Sequence, residues 1–217
     1  MKYKCLVLDH DDTVVDSTAQ IHYPAFLEIL EEMRPGVWMS LEDYFRFNFE
    51  PGFQEYCMET LHMTEEEMKY EVELWLKYVE NHIPTVYSGM KEIIMRHKAE
   101  GGIVCVVSHS YGFNILRDYE VNGLPKPDMV FGWEYPAEQR KPHKYPLEQI
   151  MKEYDLEPKD LIMVDDLKPG FDMAKACGVT FVGAGWCNEI PEIRDFMKQN
   201  SDIYLTKVSE LEKLLFE

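Results

Sequence analysis

The chain reads as an α/β protein, a doubly wound parallel sheet interrupted once by a small inserted α-helical module. Two observations predict that class. Short, continuously apolar runs alternate with helical patterns at the spacing of βαβ units, and one long stretch replaces that alternation with helix signals alone. A third observation concerns chemistry: several runs stop abruptly at polar or acidic residues, and the carboxyl ends of parallel strands are where open α/β sheets bind ligands.

The first run, Cys5-Leu6-Val7-Leu8, is apolar at every position and ends in Asp9-His10-Asp11-Asp12-Thr13, the pattern of a strand buried on both faces. Further runs at Ile103 to Val107, Met129 to Phe131, Leu161 to Val164, Thr180 to Val182 and Ile203 to Leu205 predict the other strands. Helical periodicity falls between them at Phe113 to Tyr119, Tyr145 to Tyr154, Phe171 to Ala176 and Ile190 to Met197, and Ser209 to Phe216 closes the chain. From Ser17 to Pro84 the signals are helical. Ser40-Leu41-Glu42-Asp43 resembles a capping box, Thr64 precedes three glutamates, and Pro35-Gly36 and Pro51-Gly52 mark turns. Ser88 and Gly89 then open a core helix that Gly101-Gly102 closes. The expected organisation is a core of residues 1–16 and 85–217 with an insertion over 17–84.

A length of 217 residues allows one sizeable core and a modest accessory module. The formal net charge of −18 would repel a phosphate backbone, so nucleic acid is not an expected partner. An enzyme of anionic substrates in so acidic a chain has to build a local positive site from a metal ion and a few placed cations. The cysteines (Cys5, Cys57, Cys105, Cys177 and Cys187) are odd in number and form no C-x-x-C pair, so neither a disulfide framework nor a zinc site is expected. A reducing cytoplasm suits them. No signal-peptide pattern precedes the first run, and no apolar stretch approaches the roughly 20 residues of a membrane span.

Four strand-end features carry the chemistry. Asp9 and Asp11 can aim two carboxylates at one substrate, the first as a nucleophile on phosphorus, the second as an acid and base. Ser108, after the second long run, can hold a phosphoryl oxygen together with backbone N–H groups such as that of His109. Lys141 supplies the cation that the composition demands, and Asp165-Asp166 adds oxygen ligands for a hard divalent ion such as magnesium. Each feature alone has a structural reading too: a solvated Asp-rich turn, a serine capping a helix, a surface lysine, a capping loop. Their joint order along the chain sets them apart.

In that order they resemble the motifs of the haloacid dehalogenase superfamily. Asp9-His10-Asp11-Asp12-Thr13 is similar to its first motif, Ser108 to the second, Lys141-Pro142 to the third, and Asp165-Asp166 with Gly170 to the fourth. The resemblance implies a Rossmann-type core with an inserted helical cap, and an enzyme dependent on Mg2+ that attacks a small phosphorylated metabolite through an aspartyl-phosphate. It makes Asp9 nucleophile and metal ligand, and Asp11 general acid and base that also offers its backbone carbonyl to the metal. Ser108 and Lys141 become the phosphate clamp, next to the backbone N–H of His109. Asp165 and Asp166 become the acidic metal pair, with Asp166 in the register of the direct ligand. Asp11 argues for phosphate-ester chemistry over carbon–halogen chemistry. Asp12 departs from the glycine of most relatives.

Lys144 is an alternative to Lys141 at three residues' distance, and His10, His22 and His109 lie near motif positions. In the insertion, Arg34, Trp38, Tyr44, Arg46 and Lys69 are candidates for substrate contact, against the reading that aromatics at helical spacing form a module's own core. The same constellation would serve a sugar-phosphate mutase. A non-catalytic acidic binding protein of this fold is the rival from another class, and the costly cluster of carboxylates speaks against it. Substrate identity and oligomeric state are not specified by these residues.

Overall fold

A computed structural model describes residues 2–217. Strand β1 (Cys5–Leu8) leads to the two-residue β2 (Val15–Asp16), then to helices α1 (Tyr23–Met33), α2 (Leu41–Phe49), α3 (Phe53–Glu55) and α4 (Glu65–Val79), and to β3 (Thr85–Val86). Helix and strand then alternate: α5 (Met90–Ala99), β4 (Ile103–Val107), α6 (Gly112–Val121), β5 (Met129–Phe131), α7 (Tyr145–Tyr154), β6 (Leu161–Asp165) and α8 (Lys168–Cys177). The chain ends with β7 (Thr180–Ala184), α9 (Pro191–Asn200), β8 (Ile203–Leu205) and α10 (Val208–Phe216).

Six strands form one parallel sheet in the order β5-β4-β1-β6-β7-β8. Central β1 pairs Cys5 with Ile103 on one side and Leu161 on the other. The chain therefore builds outward from β1 through β4 and β5, then returns to β1's other edge to lay down β6, β7 and β8. This reversal makes β1 the topological switch point, and such a point opens a crevice beyond the carboxyl ends of its strands. Helices cover both faces, which is why β1, β4 and β6 carry no alternating polar residues. Leu6, Leu8, Val104, Val106, Ile162 and Val164 pack with Met90, Ile93 and Ile94 of α5 and with Ile115 and Tyr119 of α6. Each such side chain stabilises the core by about 1.5–3 kcal/mol relative to exposure. Gly101, at φ +85°, turns the chain from α5 into β4 in a conformation that side chains rarely adopt.

β6 and β7 run past their apolar runs because ladder pairing is a backbone property: Asp165 pairs with Gly183 although its side chain is a carboxylate. The antiparallel ribbon of β2 and β3 (Val15 with Val86, Asp16 with Thr85) was not expected from sequence, since two residues show no periodicity.

The chain divides into two compact units, Met1–Asp16 with Thr85–Glu217, and Ser17–Pro84. The second has its own core of Phe26, Leu30, Met39, Tyr44, Phe47, Cys57 and Met63. Thr64 and Glu67 form a complete capping box at α4. At α2 the Ser40 Oγ accepts from Asp43 N but donates to Asp43 Oδ2, so the reciprocal half of the expected box is absent. Single π-helical turns at Thr18–His22 and Tyr56–Thr60 precede α1 and follow α3. No helix among the described residues is long and apolar enough to cross a membrane.

Candidate active site

The site grows out of the end of β1. Asp9 N donates to Val164 O at 2.9 Å, so the ladder to β6 holds its backbone one residue past the strand. The following loop closes on itself: His10 O accepts from Val14 N and Val15 N, and Asp12 N donates to Val15 O. That closure puts Asp12 at φ +56°. The left-handed region explains the departure noted above, because glycine takes this conformation without strain and Asp is among the few other residues that tolerate it. Buried His10 donates through Nε2 to Asp118 Oδ2 at 3.1 Å, and Arg117 holds the other Asp118 oxygen at 2.7 Å, which ties the loop to α6.

Ser108 continues β4 as Asp9 continues β1, its N donating to Phe131 O of β5. It does not cap α6, whose N-cap is Tyr111. Its Oγ lies 3.4 Å from Asp11 Oδ2. Ser110, which the sequence did not single out, donates to the same oxygen at 2.5 Å. The Asp11 carboxylate is thus turned toward two hydroxyls of the β4–α6 loop.

Lys141 reaches in from the loop before α7. It is 5% exposed, and its Nζ lies 2.8 Å from Asp9 Oδ1 and 2.7 Å from Asp165 Oδ2. Burial opposes its charge, but Asp165 and Asp9 outweigh that and raise its pKa. Lys144 is exposed, and the structure does not bring it to the site. His109 sets its ring edge-on against Trp133 at 5.6 Å and donates from Nε2 to Lys141 O at 2.9 Å. Packing around the ring, with the charge of Lys141, pushes its pKa down to about 4.

Asp165 is fully buried with both oxygens engaged, Oδ1 by Leu167 N and Oδ2 by Lys141. Gly170 of α8 makes room for it: a Cβ there would lie 2.1 Å from Asp165 Oδ2. Burial raises the Asp165 pKa to about 7, with Lys141 opposing and Asp9 adding to the rise. Asp166 is held more loosely, by Thr13 Oγ1 at 3.4 Å and Cys187 Sγ at 3.8 Å. Burial and the charges of Asp12, Asp165 and Asp9 raise its pKa well above the carboxylate range. Trp186, beside Cys187, donates to Thr13 O at 3.2 Å. These wall residues carry no motif by which sequence could have found them.

Carboxylate oxygens of Asp9, Asp165 and Asp166 lie within 4.8 Å of one another. Asp9 Oδ1 has Lys141 at ion-pair distance yet makes no aligned hydrogen bond. One buried ammonium does not balance this many buried carboxylates, so the donor set suits a hard divalent cation bound by oxygen. Of the four residues expected at a metal, the side chains of three converge, and that of Asp11 faces the serines.

The sequence matches the family model for haloacid dehalogenase-like hydrolases over residues 6–184. The chain belongs to that family. Its fold is shared with a predicted phosphoglycolate phosphatase from Haemophilus somnus 129PT (20% identity, TM-score 0.79, 99% of each chain covered). It is also similar to CbbY from Rhodobacter sphaeroides in complex with xylulose-(1,5)bisphosphate (18% identity, TM-score 0.74, 96% of each chain). A β-phosphoglucomutase from Clostridium difficile is similar at 17% identity and TM-score 0.72, with 96% of this chain and 93% of that one covered. No curated protein matches the sequence. Within this haloacid dehalogenase-like frame, the candidates of the insertion are placed as follows. Tyr44 is in the unit's core, Arg34 pairs with Glu67, Arg46 pairs with Glu42 and Asp43, and Trp38 and Lys69 are exposed. His22 accepts from Trp75 Nε1 at 3.1 Å inside the same unit, beside buried Glu71.

Proposed function

We propose that the protein is a magnesium-dependent phosphohydrolase of small phosphorylated metabolites that works through an aspartyl-phosphate on Asp9. The observation that carries this reading is the setting of Asp9: a buried carboxylate at the switch point, with Lys141 Nζ at 2.8 Å and the oxygens of Asp165 and Asp166 close by. Phosphatase and sugar-phosphate proteins among the structures of the same fold add support.

Asp9 attacks phosphorus and the ester oxygen departs, taking a proton from Asp11. Water then attacks the aspartyl-phosphate while Asp11 accepts its proton, which frees phosphate and regenerates Asp9. Ser108 Oγ, held on Asp11 at only 3.4 Å, exchanges that contact for a phosphoryl oxygen, and the His109 N–H and Lys141 Nζ complete the clamp. Asp9 and Asp166 would hold the cation directly, since both Asp165 oxygens are taken by Lys141 and Leu167 N. When bound, the cation supplies charge neutralisation between nucleophile and phosphate. The insertion between β2 and β3 is assigned, by the family resemblance, the part of a cap that limits water during turnover.

The test is phosphate release from a panel of small phosphate esters, with and without magnesium, by the native chain and Asp9→Asn. Magnesium-dependent release abolished by the substitution is expected. Isomer formation from a hexose 1-phosphate without free phosphate would replace the hydrolase by a mutase.

A further inference from the structure

Six arginines stand in a chain with 40 acidic residues. Arg34, Arg46, Arg96, Arg117 and Arg194 each pair with a neighbouring carboxylate. Arg140 alone has no carboxylate at ion-pair distance among the described residues. Its guanidinium lies 3.7 Å over the Trp133 ring, with Nη1 donating to Trp133 O at 3.3 Å. The other guanidinium N–H groups have no protein acceptor among the described residues, and the side chain is half-buried.

Its position gives this a meaning. Arg140 precedes Lys141, whose ammonium meets Asp9, and Trp133 packs on His109, which follows Ser108. The His109 bond to Lys141 O and the Trp133 N bond to Ser110 O join the two loops into one wall beside the phosphate clamp. A guanidinium seated over an indole face is restrained in position and only weakly hydrated, and its fork of donors suits it to grip a carboxylate or phosphate with two parallel hydrogen bonds. In so acidic a protein, a cation left without an acid partner at this place is available to a ligand's anion.

We infer that Arg140, on its Trp133 platform, recognises a second anionic group of the substrate, so that the enzyme prefers phosphate esters bearing a carboxylate or a second phosphate. The inference rests on the phosphohydrolase reading and names the substrate class of that site.

The experiment compares kcat/KM of the native chain, Arg140→Gln and Arg140→Lys on matched pairs: glycerol 3-phosphate against 3-phosphoglycerate, and fructose 6-phosphate against fructose 1,6-bisphosphate. The native chain should favour a member with the second anion. Arg140→Gln should lower kcat/KM for that member about tenfold or more, chiefly through KM, and alter its neutral match by less than about twofold. Arg140→Lys, keeping charge without the planar fork, should fall between. A loss confined to phosphoglycerate assigns a carboxylate, and one confined to the bisphosphate assigns a second phosphate. Equal losses on both members of each pair, no loss on either, or no native preference overturns the inference. Absence of magnesium-dependent release from every ester by the native chain overturns the hydrolase reading itself, before any variant is compared.

Discussion

Lys141→Met is the perturbation whose size can be worked furthest from the site. It replaces the ammonium lying 2.8 Å from Asp9 Oδ1 and 2.7 Å from Asp165 Oδ2 with an uncharged chain of similar length. Stranding one partner of a buried ion pair costs about 3–5 kcal/mol, unless the stranded group neutralises itself. Asp165 can do so. With Lys141 present its pKa is already about 7, against an ordinary 3.8, and loss of the ammonium moves it higher. A raised carboxyl pKa gives stability that is complete below the unfolded value and is lost as pH rises through the folded one. For Asp165 in the metal-free native chain that loss runs from about pH 3.8 to about pH 7 and then levels off. In the variant the decline continues above pH 7 at about 1.4 kcal/mol per pH unit for the proton retained. The assay is urea unfolding of metal-free native and variant chains from about pH 6 to about pH 9, where the gap should widen by about 1–3 kcal/mol. A gap that stays constant over that range would refute the argument that Lys141 neutralises this carboxylate cluster.

Three further outcomes are expected. Ser110→Ala removes the 2.5 Å hydrogen bond that orients Asp11; turnover of alkyl phosphates should fall about tenfold while an aryl phosphate, whose leaving oxygen needs no proton, changes little, and equal effects would deny the positioning role. Gly170→Ala must drive Asp165 off Lys141 and Leu167 N, since its Cβ would fall 2.1 Å from Oδ2; a loss of about 3 kcal/mol by chemical unfolding and weaker magnesium binding should follow, and native-like values would show that the cradle yields. Glu71 is buried in the insertion with its pKa raised to about 7 by burial, His22 opposing, so its share of stability is lost as pH climbs from about 4.5 to 7. Glu71→Gln does not titrate, and its melting temperature relative to native should rise across that window by the equivalent of up to about 3 kcal/mol; a pH-independent difference counts against it.

Much of the sheet was legible because its central strands are buried on both faces, which forces an apolar residue at every position of β1 and β4 and at the first four of β6. The strand ends were legible for the opposite reason, since Asp9, Ser108 and Asp165 interrupt those runs. What sequence could not show is pairing at a distance. Nothing in the helical pattern of α6 marks Asp118 as the partner of His10, 108 residues away. Ser110 is a small hydroxyl in a loop, and its role exists only through the Asp11 carboxylate that the fold brings to it. Pro142 favours Lys141 over Lys144 in the sequence, and burial between two carboxylates separates the two in the fold. In the insertion, Tyr44 carries the same aromatic signal whether it lines a pocket or a core, and the packing around Phe26 and Phe47 places it in the core.

In the proposed mechanism Asp9 carries the phosphoryl group. The most direct test is mass spectrometry of peptides from the native chain, acid-quenched during turnover of a hydrolysed ester with magnesium. A peptide containing Asp9 should be heavier by one phosphoryl group, and this species should be absent in Asp9→Asn. Phosphorylation at any other residue, or turnover by Asp9→Asn at the native rate, would contradict that mechanism.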